Sequence, residues 1–89
     1  KDHLLYQEVN SELSFGSGEA ALLEFEVSPR LEGRTVADLT VPGQVLVACV
    51  VRLGRAQVPT PATILEKEDL VYACVDNGAM ARFRDLAGF

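Results

Sequence analysis

Eighty-nine residues make one domain with a modest stability margin, because a chain this short buries a smaller share of its surface than a long one. Apolar residues form 48% of it, many of them branched aliphatics and none of them Trp, which excludes a disordered chain and favours strands. Thirteen acids against eight bases give a net charge of −5, and the bases fall singly or as the pair Arg82/Arg84. No basic stripe exists to track phosphates, so neither nucleic acid nor an anionic lipid surface is expected as a direct partner. No run approaches the ~18 apolar residues of a membrane span, so direct membrane insertion is not expected. No signal-peptide pattern opens the chain, and Lys1 in place of Met suggests a piece of a longer polypeptide.

Residues 2–10 carry a weak helical pattern, with Leu5 and Val9 four apart and Asp2 placed to cap. Residues 1–10 therefore read as a linker or terminal helix ahead of a domain over 11–89. Ser11 to Phe15 predicts a short strand, and Gly16-Ser17-Gly18 a turn. From Ala20 to Val27 the chain alternates, with Leu23, Phe25 and Val27 on one side and Glu24 and Glu26 on the other. That is a half-buried strand, and the two strands together form a hairpin. Gly16 to Ala21 also matches the letters G-x-G-x-x-A of a dinucleotide loop. Such a loop needs a helix opening after it, whereas a strand pattern follows and Glu19 sets a negative charge at the site, so a hairpin turn is expected.

Thr35 is a good N-cap, Asp38 three residues on completes a capping-box pattern, and Pro42-Gly43 stops the helix after about one turn. The seven residues Val45 to Val51 are all apolar, which predicts a strand covered on both faces. Leu53-Gly54 turns it back into Arg55 to Val58. Pro59 and Pro61 cannot donate to a ladder, so the next crossing belongs at or outside a sheet edge. Glu66 to Asp69 reads as a polar turn and Leu70 to Val75 as the last strand. Asp76 or Asn77 caps a final helix with Met80, Phe83 and Leu86/Ala87 as its apolar stripe and Gly88 at its end. The fold class expected is α+β: a small, mostly antiparallel sheet with a short helix after the first long strand and a C-terminal helix.

Catalysis has little to stand on. The single histidine, His3, has no nucleophile at a known spacing, and no Walker loop, H-E-x-x-H or G-x-S-x-G occurs. Glu66, Glu68 and Asp69 lack the order of a calcium loop, so no metal site is expected. Cys49 and Cys74 lie in apolar runs without a CxxC partner, and read as reduced, shielded hydrophobes.

The order of these pieces resembles one family, the RCK-C or TrkA-C domain. The resemblance runs from about Ser11 to Gly88. It is carried by Val27, Ser28, Leu31, Gly33, Arg34, Thr35, Val36 and Leu39; then by Pro42, Gly43, the strand to Val51, Arg52 and Gly54. Pro59, Thr63, Leu65, Asp69 and Val71 complete it. Glu68 departs from the pattern, which commonly has Gly before the Asp. The resemblance implies a cytosolic regulatory, ligand-sensing and dimerising domain of a potassium uptake or transport regulator, and no enzyme. It implies a homodimer that acts on a membrane potassium channel or transporter subunit through the full-length protein, peripheral to the inner face of the membrane. A purely structural dimerisation module, or a cytosolic domain of an anion or amino-acid carrier, is the alternative. No cofactor is expected in this fragment; NAD(H) or ATP would belong to an upstream Rossmann domain. Some members bind cyclic di-AMP in a cleft between two copies, using the loop after the short helix and a basic residue on it. The ligand-site residues that the resemblance implies are Thr40, Val41, Pro42, Gly43 and Gln44, with Pro59 from the next hairpin. This loop has no Lys or Arg, so weak or no cyclic di-AMP binding is expected unless Arg34, Arg52 or Arg55 reaches in.

Overall fold

The computed structural model describes residues 9–88. Five strands form one antiparallel sheet: β1 (Val9–Phe15), β2 (Ala20–Glu26), β3 (Val45–Arg52), β4 (Arg55–Gln57) and β5 (Leu70–Asp76), in the order β1-β2-β5-β3-β4. A one-turn helix α1 (Val36–Leu39) follows β2, and a 3₁₀ turn (Asn77–Ala79) leads from β5 into the last helix, α2 (Met80–Ala87). The α+β class and the placing of both helices are those expected from the sequence. Segment 1–8 lies outside the described residues; Val9 and Asn10, expected in a linker or terminal helix, instead open β1.

The core lies on one face of the sheet. Leu23, Phe25, Val71, Ala73 and Val75 point there by the period of two along β2 and β5, and Val47 and Val50 do so across an irregularity in β3. Phe83 of α2 meets Phe25 edge-on, with ring centroids 5.6 Å apart, and Leu31, Leu39 and Leu65 close the rest. Ser28 is buried beneath the helix end and donates its hydroxyl to the Ala87 carbonyl at 2.8 Å. Gly88, at φ +93, gives α2 its left-handed stop.

A four-residue helix rarely stands alone. Here the crossing after β4 supports α1: the N–H groups of Val36 and Ala37 donate to Thr63 O at 2.9 Å and Pro61 O at 3.0 Å. Asp38 accepts the Thr35 N–H at 3.2 Å, as the capping pattern predicts. Thr35 also bridges Ile64, so the proline-stiffened crossing runs outside the main ladder, beside the helix.

One expectation is overturned. The Val45 to Val51 run is covered on one face only: Leu46 is 61% exposed and Ala48 is exposed as well. A bulge between Val47 and Cys49 adds an extra residue to β3 there. Cys49 and Cys74 also sit on this open face, as half-buried free thiols rather than core residues.

Candidate functional site

The loop after α1 is built by its own backbone. Gln44 N–H bonds Val41 O at 2.8 Å, closing a turn with Pro42 and Gly43 at its centre and Gly43 at φ +77, the left-handed position that favours glycine. Val41 and Val45 bridge across the turn, and the Gln44 carbonyl accepts Asp76 N–H at 2.8 Å, fixing the loop to the end of β5. The Thr40 hydroxyl turns back to Val36 O at 2.9 Å. The Thr40, Val41 and Gln44 amides are thus engaged internally and Pro42 has none, which leaves the loop few donors for an anion.

This loop walls a hollow of about 390 Å³ at the end of the sheet. Thr40, Pro42, Gly43 and Gln44 form one side; Leu46, Cys74 and Ala20 form the floor, and Asp76 stands at the rim. Val41 instead lines a small void of about 60 Å³ against α2, and Pro59 is outside both. The walls are largely apolar, and the charged group among the lining residues is a carboxylate, with its Oδ2 accepting Gly78 N–H at 2.9 Å.

The sequence pattern alone misses one basic residue. Arg82, in the first turn of α2, reaches the loop and donates from Nη2 to Gln44 Oε1 at 2.6 Å. Its signal is a position on the helix face that turns toward the loop, visible only once α2 is docked. Two of the arginines named from sequence, Arg52 and Arg55, lie elsewhere. Arg52 is seven residues along β3 from Val45, roughly 23 Å away, and Arg55 pairs with Arg52 at that far end.

At that far end stands a densely hydrogen-bonded polar group. Asp69, 1% exposed, accepts Arg52 Nε at 2.9 Å, Arg52 Nη2 at 2.7 Å and Glu66 N–H at 2.9 Å. Arg52 also donates to Ile64 O at 2.9 Å and lies 3.4 Å from Glu66. Burial pushes the Asp69 carboxyl up, but the Arg52 guanidinium and the Glu66 N–H outweigh it and hold the carboxyl below its ordinary range. Both Asp69 oxygens are engaged by Arg52 and the Glu66 N–H, so the pair ties β3 to the start of β5. On the open face, the Glu24 carboxylate takes the Ser11 hydroxyl at 2.8 Å and the Tyr72 hydroxyl at 3.0 Å, and pushes the Tyr72 pKa up. Among the described residues, no group of three or more His, Cys, Asp or Glu is placed to hold a metal ion.

No curated protein matches the chain. The family model of the TrkA-C domain matches residues 22–88, from the middle of β2 through the end of α2. That span contains α1, the loop, the Arg52–Asp69 pair and the core face, and leaves β1 outside. TrkA-C domains are regulatory domains of proteins connected with potassium transport, and this chain belongs to the TrkA-C domain family.

Proposed function

We propose that this chain is the cytosolic, ligand-sensing and dimerising domain of a potassium-uptake regulator, acting on a membrane channel or transporter subunit without catalysing a reaction. The family membership supports the regulatory role. The observation that carries ligand sensing is the hollow walled by Thr40 to Gln44, whose floor residues Leu46 and Cys74 belong to the open sheet face. A second copy on that face would roof the hollow. A ligand there would then favour one arrangement of the pair, and the difference in affinity between arrangements would pass to the attached protein. The apolar walls, the rim carboxylate and the engaged amides suit a small, uncharged ligand better than a dinucleotide with two phosphates.

Two measurements test this. Deleting residues 22–88 from the full-length protein should remove the response of potassium uptake to cellular conditions; unchanged regulated uptake would end the proposal. Calorimetry with cyclic di-AMP should show no binding at micromolar or tighter affinity, which corresponds to about 8 kcal/mol. Tight binding would assign the hollow to an anion, with Arg82, bonded to the loop through Gln44, as a candidate base, and would overturn the proposal of an uncharged ligand. The poverty of free donors in the loop favours a second reading, a structural pairing module. Retained regulation after Ala20→Trp, which enlarges a side chain lining the hollow without touching the glycine turn, would support that reading.

A further inference from the structure

The chain has two asparagines, Asn10 before Ser11 and Asn77 before Gly78. Asparagine followed by glycine is open to attack on itself, because no Cβ on the next residue shields its backbone nitrogen from the asparagine side chain. Asn77 and Gly78 stand at the join of β5 and α2 and are both exposed. The Asn77 side-chain amide makes no hydrogen bond among the described residues. Gly78 does not hold a positive φ, so its backbone alone does not demand glycine. A Cβ there would meet Asp76 Oδ2 at 3.1 Å, so glycine lets that carboxylate close on the Gly78 N–H, at 2.9 Å.

We propose that Asn77 is a self-modification site, an asparagine that deamidates through Gly78, and that the fold keeps it latent while the turn into α2 is closed. The chemistry needs only water. The Gly78 nitrogen gives up its proton and attacks the side-chain carbonyl carbon of Asn77. A carbon–nitrogen bond forms, the side-chain nitrogen leaves with that proton as ammonia, and a five-membered succinimide remains. Water opens the ring at either carbonyl and leaves aspartate or isoaspartate at position 77.

The closed turn holds back the first step in two ways. The Gly78 N–H is given to the Asp76 carboxylate, so the nitrogen would become anionic against a like charge, which disfavours that form. Asn77 N–H also donates to Glu19 O at 2.7 Å, and Met80 N–H donates to Asn77 O, which winds Asn77 into the 3₁₀ turn. Ring closure needs the Asn77 ψ rotated far from the helical range, until Cβ and the next nitrogen eclipse. The turn must therefore open locally before the bond forms. Either product sets a second carboxylate beside Asp76, which stands at the rim of the hollow. Isoaspartate also adds a methylene to the main chain between β5 and α2, so the site keeps a record of how often the entry to α2 has opened.

The test is peptide mapping by mass spectrometry, with detection of isoaspartate, on the 89-residue chain kept in mildly alkaline buffer. Unfolded in urea, the chain should convert at Asn77 and far more slowly at Asn10, whose neighbour carries a Cβ. Folded, it should convert at Asn77 at least about tenfold more slowly than unfolded. Asp76→Ala should recover most of the lost rate while the dichroism is unchanged. Asp76→Ser keeps an acceptor for the Gly78 N–H without the charge and should fall between; it decides alone should Asp76→Ala not fold. Absence of conversion at Asn77 in the unfolded chain overturns the site. Conversion of the folded wild type at the unfolded rate overturns its latency. A folded Asp76→Ser protein that converts no faster than the wild type overturns the part given to the Asp76 charge.

Discussion

Replacing Asp69 by Ala removes three acceptor contacts: two from Arg52, at 2.9 and 2.7 Å, and one from the Glu66 N–H, at 2.9 Å. Breaking a buried ion pair by deleting one partner typically costs about 3–5 kcal/mol. Arg52 is 30% exposed and keeps Ile64 O and Glu66, so its charge is not abandoned, and the lower end, about 3 kcal/mol, applies. A domain of this size has a total of roughly 4–13 kcal/mol, so the loss is a large share of it. The melting midpoint should fall by about 12–24 °C, followed by dichroism on heating. A double-mutant cycle with Arg52→Ala isolates the pair, and the two changes together should cost clearly less than their sum. A loss below about 1 kcal/mol, or strict additivity, would refute the claim that this pair holds β3 to β5. Acid gives an independent check. The folded carboxyl sits below its usual value of 3.8, so its contribution is complete above that value and disappears as pH falls through the lower folded value. Wild-type stability should therefore drop below about pH 4, and the Asp69→Ala protein should lack that component.

Glu68→Gly should raise stability by about 1 kcal/mol in urea denaturation, because Glu68 holds φ +73, where a Cβ is strained. Leu53→Asn should stabilise by a similar ~1 kcal/mol, since Leu53 at φ +53 and Gly54 at φ +77 form a two-residue hairpin turn that favours Asn-Gly; an unchanged midpoint would show the turn relaxes in solution. Ser28→Ala should cost about 1–2 kcal/mol by leaving the Ala87 carbonyl without its donor, and should speed amide exchange in α2 before other elements.

The order of local elements is legible because each obeys a short-range rule. Leu23, Phe25 and Val27 alternate, Thr35 and Asp38 bracket a turn, and Pro42-Gly43 ends it. The departure at Glu68 is informative: the position keeps the left-handed backbone that a glycine there would adopt freely. What the sequence hides depends on which elements meet. Periodicity shows that Val45 to Val51 is apolar on both sides but not whether one chain supplies both covers. The same ambiguity makes Cys49 and Cys74 read as core residues. Of the site residues, Thr40, Pro42, Gly43 and Gln44 do share one hollow, while Val41 and Pro59 do not line it. Arg82 is invisible because it lies 38 residues along the chain from the Gln44 it touches, and no local pattern encodes the docking of α2.

The place of β5 in the sheet has a consequence for how the chain is made. It is the last strand synthesised and the middle one in space, with β2 on one side and β3 on the other. Until it emerges from the ribosome, the β1–β2 and β3–β4 hairpins have no common neighbour, and Val27 lacks the Asp69 carbonyl that receives its N–H at 2.9 Å. Neither hairpin is stable alone in water. The nascent domain should therefore stay protease-sensitive through most of its translation and become resistant in one late step, when residues 70–87 arrive and join the two halves.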